Sequence, residues 1–431
     1  MLGIKEILGD EIAAANEENL RKLKERVHAN KVSWVLGAGV SKSVGVPLWG
    51  ECLQKMWTRM LMLDKSADSK ECIIRKNDAY QNALKEIKCA DKEDKNATEC
   101  FFTKVNQTIL GEKWNEVFDR IDNLEAAEYI KNFVNIIVKE NESMSPARQK
   151  EMAEQIYFNL LKDSLSIDVK DPEMLDKLRK GTLGVLSRYF VTNADKTKFV
   201  VINYNFDDLL EFNLLKMGLA QEKCHVKLPG TPMVLDAENG VHIYHPHGVT
   251  AIATDSFIEE NLRLVLAEGD YEKLEKKAYI WENSVQAKAL HDTSCIFLGF
   301  SGEDYNFRRI IKNMESGEER QENVHYMFIS IESFVKKMFE NEVHRRLLEN
   351  ISRTEDKRTE FLKKVKSKKY EEKYDEKLRE VLLDKNMKFE KMMMIRRLYA
   401  QYLYWSDRNI IPIWTTRDEL TTMITGILEK V

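Results

Sequence analysis

The chain has 431 residues, of which 43% are hydrophobic and 32% charged. That is enough apolar material for a large core, spread over roughly three domains' length or one heavily decorated domain, and it excludes whole-chain disorder. A net charge of −4, from 67 Lys+Arg against 71 Asp+Glu, gives the chain as a whole no basic footprint for nucleic acid.

Charges interrupt every apolar run in the N-terminal segment, so neither a signal peptide nor a membrane span is expected there. No later run is long enough to cross a bilayer, and a soluble, cytoplasmic protein is expected. The six cysteines, Cys52, Cys72, Cys89, Cys100, Cys224 and Cys295, include no Cys-x-x-Cys pair. No zinc ribbon or redox motif can be drawn, and free thiols in a reducing compartment are expected.

Six short apolar runs read as buried strands: Val32–Leu36, Phe199–Ile202, Val241–Tyr244, Cys295–Leu298, His325–Ile329 and Ile410–Trp414. Helical stretches lie between most of them. The pattern predicts an α/β fold with a parallel sheet, whose strands need not alternate because helices cover both faces. Residues 61–182 and 331–408 read as helical insertions. The first carries Trp114, Val117, Phe118, Ile121 and Leu124, and later Ile130, Phe133, Ile136 and Ile137, at helical spacing. The second includes 351–380, with 11 Lys/Arg and 8 Asp/Glu, which reads as a solvated helix; a nucleic-acid contact there is the lesser alternative. Met392–Met394, Tyr399, Tyr402, Tyr404 and Trp405 follow as an apolar helix suited to core or subunit packing.

Four of the strands run into polar or glycine-rich turns. After the first comes Gly37-Ala38-Gly39-Val40-Ser41. Its glycines let the backbone turn sharply or approach a phosphate, and Ser41 and Lys42 are expected to open a helix whose N-terminus suits a pyrophosphate. The third glycine of Gly-x-Gly-x-x-Gly is missing, since Lys42 stands there, so an ordinary tight turn is the alternative. Gly45-Val46-Pro47-Leu48-Trp49 then offers a rigid turn and an aromatic lid, or plain packing. After the second strand comes Asn203-Tyr204-Asn205-Phe206-Asp207-Asp208. Its polar side chains fall at a strand's carboxyl end, where parallel sheets bind ligands, and one of the two aspartates is expected to cap the next helix. After the third comes His245-Pro246-His247-Gly248. Alternation predicts both imidazoles on one face, suited to general base chemistry; a metal would need a third ligand and none is assigned. The Gly299-Phe300-Ser301-Gly302-Glu303-Asp304 turn offers Ser301 either to a phosphate or ribose, or as a helix N-cap with Asp304 in the first turn.

Taken in order, Gly-Ala-Gly-x-Ser, Asn-Phe-Asp-Asp-Leu-Leu-Glu, His-Gly and Gly-Phe-Ser-x-x-Asp resemble the sirtuin-like family. The similarity is above all to the bacterial sirtuin-like NAD hydrolases of antiphage defence. It implies a Rossmann-like NAD-binding domain over 1–60, 183–330 and 409–431. It implies Asn205 and His247 as catalytic residues, in preference to Asn203 and His245. It implies Gly37, Ala38, Gly39, Ser41, Asp207, Gly299 and Ser301 as NAD-binding residues. Tyr271 resembles a tyrosine of the family, with no role assigned. Sirtuin deacylases carry a four-cysteine zinc module that this chain lacks, so no zinc is expected. The implied activity is cleavage of NAD to ADP-ribose and nicotinamide. The alternatives are an NAD-dependent protein deacylase and a non-catalytic sensor of NAD or ADP-ribose. The implied partners are copies of the chain itself in a homo-oligomer and an ATPase or phage-derived trigger; from composition no membrane is expected, and nucleic acid is the lesser alternative named for 351–380.

Overall fold

The computed structural model describes residues 10–63, 122–139, 145–232, 238–253, 258, 263–276, 280–315, 323–331 and 389–429. Seven strands form its sheet: β1 (Val32–Leu36), β2 (Lys198–Asn203), β3 (Cys224–Lys227), β4 (Gly240–Tyr244), β5 (Ser294–Leu298), β6 (His325–Ser330) and β7 (Ile410–Thr415). Their order is β3-β4-β2-β1-β5-β6-β7. The β1–β2, β2–β4, β3–β4, β5–β6 and β6–β7 pairings are all parallel. The expected α/β architecture is therefore present: a parallel sheet with helices around it.

The helices are α1 (Asp10–His28), α2 (Trp49–Leu63), α3 (Asn123–Lys139), α4 (Pro146–Leu165), α5 (Pro172–Lys180), α6 (Thr182–Asn193), α7 (Leu209–Lys216), α8 (Glu268–Glu275), α9 (Trp281–Asp292), α10 (Tyr305–Glu315), α11 (Phe389–Ser406) and α12 (Arg417–Leu428). By compactness the chain divides into two units. One comprises 33–289 and 299–312; the other comprises 1–32, 290–298 and 313–431.

In the first unit, the buried indole of Trp34 on β1 meets Phe190 edge-on at 5.7 Å, and Phe190 meets Phe199 of β2 at 4.8 Å. These rings fasten α6 to the strands that lead to the site. Helices α2, α3 and α4 pack on one another. The face α3 buries is Ala126, Ala127, Ile130, Val134 and Val138. The sequence pattern pointed to Ile136 as part of that face, yet it is 55% exposed, because a step of four from Ile130 passes through Val134 and Val138 instead. Helix α3 also anchors α8: Lys131 Nζ reaches Asp270 Oδ1 at 2.5 Å, and Glu128 accepts from the Gly269 N–H.

In the second unit, Ile331, Leu398 and Trp414 form a core joined by Ile12, Ala13, Tyr402 and Met423. Asn16 of α1 bonds both backbone groups of Trp414, taking its N–H at 2.8 Å and donating to its carbonyl at 2.9 Å. A side chain can satisfy an edge strand this way only where it is buried against that strand. Thr416 and Glu419 cap α12 reciprocally. The charged stretch 351–380 lies outside the described residues, as do Trp114 to Ile121 and Cys72, Cys89 and Cys100. Cys52, Cys224 and Cys295 are buried free thiols. Among the described residues no helix is long and apolar enough to cross a membrane.

Candidate functional site

Two glycine turns meet at the strand ends. Past β1, the Gly39 N–H donates to the Gly299 carbonyl at 2.9 Å. A Cβ on Gly37 would stand 2.6 Å from the Gly299 oxygen, and one on Gly39 would stand 2.7 Å from Gly299 Cα. Gly299 itself has φ +60, and a Cβ there would stand 2.3 Å from the Val40 nitrogen. The three glycines are needed because backbone packs directly on backbone. Ser41 and Lys42 do not open an α-helix as expected. They stand at two short 3-10 turns, Ala38–Val40 and Lys42–Val44, ended by Gly45 at φ +95 with Pro47 beyond. A left-handed glycine followed by proline stops the helix, so α2 begins only at Trp49. The N–H groups of Gly39, Val40 and Ser41 all bond within the protein. Ala38 lies half-buried between them.

Ser41 is fully buried and links the first turn to the second. Its hydroxyl accepts from Asn205 Nδ2 at 3.3 Å and donates to Asp207 Oδ1 at 3.1 Å. Asp207 also takes the Leu209 N–H at 3.3 Å from one residue ahead of the cap position; the N-cap of α7 is Asp208, whose side chain makes no cap bond, so neither aspartate is the regular cap expected of the pair. Burial pushes the Asp207 carboxyl up to about 7, against the bonds from Ser41 and Leu209 and with help from Asp208 and Glu211. Asp208 has a different task. Its Oδ1 accepts the N–H groups of Ile252 and Ala253, each at 3.0 Å. Thr250 adds two bonds to the Phe206 carbonyl. The loops after β2 and β4 are thus stitched together.

The pairing of β2 with β4 ends at Ile202 opposite Tyr244. Asn205 and His247 each lie three residues further on, at the carboxyl ends of adjacent strands. Both are 4% exposed. Asn205 Oδ1 and His247 Nε2 are buried without a hydrogen-bond partner. His247 sits among rings: Tyr204 at 5.0 Å, Tyr271 at 5.3 Å and Phe206 at 6.4 Å, with Trp49 stacked on Phe206 at 5.7 Å. Its Nε2 stands 3.4 Å from Asp304 Oδ2, an oxygen that also accepts from the Tyr271 hydroxyl at 2.9 Å. Burial lowers the His247 pKa, with Asp304 opposing, so the imidazole is neutral near pH 7 and able to accept a proton. Burial, with the Asp304 charge, holds the Tyr271 phenol well above its ordinary range, so it remains a donor.

His245 does not share a face with His247. The strand ends at Tyr244 and the chain turns, Gly248 N–H bonding back to the His245 carbonyl, so the two-residue period lapses. His245 instead bonds Glu211 and the Asn205 carbonyl. Ser301 is exposed, and its hydroxyl accepts only from the Glu303 N–H of its own turn. The cap of α10 is Asp304, whose Oδ1 takes the Phe307 N–H at 2.8 Å. A depression of about 310 Å³ beside the first turn is lined by Lys42, Gly45, Val46, Pro47, Glu51, Gln54 and Lys55. It includes neither Asn205 nor His247. No cluster of three His, Cys, Asp or Glu side chains suited to a metal occurs among the described residues.

Residues 200–354 match the family model of the SIR2-like domain. Over that stretch the chain is similar to SIR2-like domains. No curated protein matches it. SIR2-like domains bind NAD, which ties the chain to NAD chemistry. The match opens within β2 and so takes in Asn205, Asp207, His247 and Gly299. Gly37, Gly39 and Ser41 precede it, and they join the SIR2-like residues by direct contact: Gly39 with Gly299, Ser41 with Asn205 and Asp207. Asp304, Tyr271 and Glu211 were given no site role from sequence, and His245 was offered beside His247 and then set aside on the resemblance. A lone glutamate in the otherwise apolar start of α7 was the one available signal for the Glu211 pairing.

Proposed function

We propose that the protein is an NAD glycohydrolase that cleaves NAD to ADP-ribose and nicotinamide. One observation carries the reading. Two side chains from adjacent strand ends of the SIR2-like stretch each keep a buried polar atom without a hydrogen bond, Asn205 Oδ1 and His247 Nε2, the latter with only the 3.4 Å approach of Asp304. Buried polar atoms without partners are uncommon, and a ligand that supplies the missing bonds accounts for both. In this reading the bond between the ribose C1′ and the nicotinamide nitrogen breaks, and its electron pair leaves with nicotinamide. Water adds to the cationic sugar carbon. Asn205 orients the ribose or the water through Oδ1, and His247 takes the proton, held in its aromatic box by Asp304. A positioned general base contributes about 10²–10⁴-fold. The resemblance assigns the pyrophosphate to the turn of Gly37, Ala38, Gly39 and Ser41 beside Gly299, where the Gly39, Val40 and Ser41 N–H groups already bond within the protein, and Ser301 lies at the exposed edge for ribose or phosphate.

A role in antiphage defence by NAD depletion follows from the resemblance, as do a cytoplasmic location, a homo-oligomer and control by an ATPase or phage-derived trigger. Deacylation is the weaker reading, since the sequence has no Cys-x-x-Cys pairs for the zinc module of sirtuin deacylases. The test is NAD consumption by Asn205→Ala and His247→Ala. Each is expected to lose turnover by about 10²-fold or more while its circular dichroism stays that of the parent. Wild-type consumption by both variants would overturn the assignment.

A further inference from the structure

We propose that Glu211 and His245 form a buried pair that positions Asn205, presenting its amide oxygen to the ligand. The proposal rests on the reading of Asn205 as the residue that works on NAD. His245 is 0% exposed and Glu211 1%. His245 Nε2 stands 2.6 Å from Glu211 Oε1, and Nδ1 stands 3.2 Å from the Asn205 carbonyl oxygen. Both neighbours are acceptors. A neutral imidazole carries a single N–H and could serve only one of them, so two such contacts call for the imidazolium. The groups facing His245 agree. Glu211 comes from α7, the Asn205 carbonyl and Asp207 come from the loop after β2, and the Lys227 carbonyl on β3 takes the His245 backbone N–H. Burial works against the charged ring, but these neighbours outweigh it and its pKa is raised.

A buried ion pair is a poor source of stability, because desolvation consumes most of the attraction. Its geometric effect is clear. The Asn205 N–H is held by Asn203 Oδ1 at 3.1 Å, its carbonyl by His245, and its side-chain nitrogen by Ser41. With the backbone fixed on both sides of Cα and one amide N–H engaged, Oδ1 is the side-chain atom that has no bond at all and faces a ligand. Glu211 and His245 touch no reacting atom in this arrangement and are positioning residues.

The experiment uses the full chain and two variants: Glu211→Gln, which keeps shape and removes the charge, and Glu211→Met with His245→Leu, which replaces the pair by apolar groups of similar size. Both are expected to lower kcat for NAD by about 10- to 100-fold, with KM changed less than about threefold, since misplacement of a working group costs rate more than affinity. The double variant is expected to melt within a few degrees of the parent. A second readout needs no turnover. Nuclear magnetic resonance of the parent at pH 8 is expected to show two ring N–H protons for His245, and the Asn205 side-chain amide resonances should move in Glu211→Gln. A single ring N–H, or unmoved Asn205 resonances, overturns the positioning role. Unchanged kcat in both folded variants does the same. A parent that leaves NAD intact while showing both resonance signatures refutes the hydrolase reading and supports the pair.

Discussion

Burial and charge pull against each other at His247. Its ring lies among Tyr204, Phe206 and Tyr271, which favours the neutral form, while Asp304 at 3.4 Å favours the charged one. An imidazole that starts neutral beside a carboxylate can take a proton in the reaction and have the new charge stabilised. Asp304 is itself fixed, by the Tyr271 hydroxyl on one oxygen and the Phe307 N–H on the other. Asp304→Asn removes the charge and keeps the Phe307 bond through Oδ1, while its Nδ2 can only donate to the Tyr271 oxygen instead of accepting from it. Its kcat for NAD is expected to fall by about 10²-fold or more with little change in KM. Steady-state kinetics that leave kcat within twofold would show that Asp304 serves only as a helix cap. The polar groups that close two short apolar strands were legible in the sequence, but the choice of Asn205 over Asn203 and of His247 over His245 came from the resemblance. Asp304 and Tyr271 were not legible, because only the folding of distant segments brings them to the imidazole. Asp304 also reads equally well as an ordinary first-turn acid.

Elements were legible in proportion to their burial. The six apolar runs are strands of the sheet, each within a residue or so of its expected bounds. The seventh, β3, escaped because Cys224-His225-Val226-Lys227 is short, mixed in polarity and at the edge of the sheet, where one side needs no partner strand. The turn after β1 shows the other kind of limit. Gly-x-Gly there suggested a phosphate loop running into a helix, but the closest neighbour of both glycines is the Gly299 turn. Sequence spacing cannot distinguish a glycine that admits a ligand from one that admits another backbone. Gly39→Ala would place a methyl 2.7 Å from Gly299 Cα, and Gly299→Ala adds strain at φ +60 to a 2.3 Å clash with the Val40 nitrogen. Each is expected to destabilise the protein by about 2–4 kcal/mol, with Gly299→Ala the worse. Denaturant titration checks this; a midpoint unchanged in Gly299→Ala would contradict the junction.

Over the whole molecule, buried titrating groups set how stability follows pH. His325 on β6 is fully buried, accepts the Cys295 N–H at Nδ1 and has its pKa lowered to about 4 by burial and by Arg26. The unfolded chain binds that proton near pH 6.5, so stability is present above about 6.5 and is lost as pH falls towards 4. Asp207, raised to about 7, acts oppositely: its relative stability is present below about pH 4 and is lost as pH rises to 7. The two overlap, so the comparison with His325→Asn isolates the histidine, Asn Oδ1 standing in for Nδ1. The parent's melting temperature is expected to fall more steeply than the variant's between pH 7 and 4.5; parallel curves would contradict the assignment. The central claim is tested most directly by incubating the full chain with NAD and separating the products by chromatography. Nicotinamide and ADP-ribose in equal amounts, without any acylated peptide, is the predicted result. NAD that binds and is recovered intact, or nicotinamide released only when an acylated peptide is added, would contradict it.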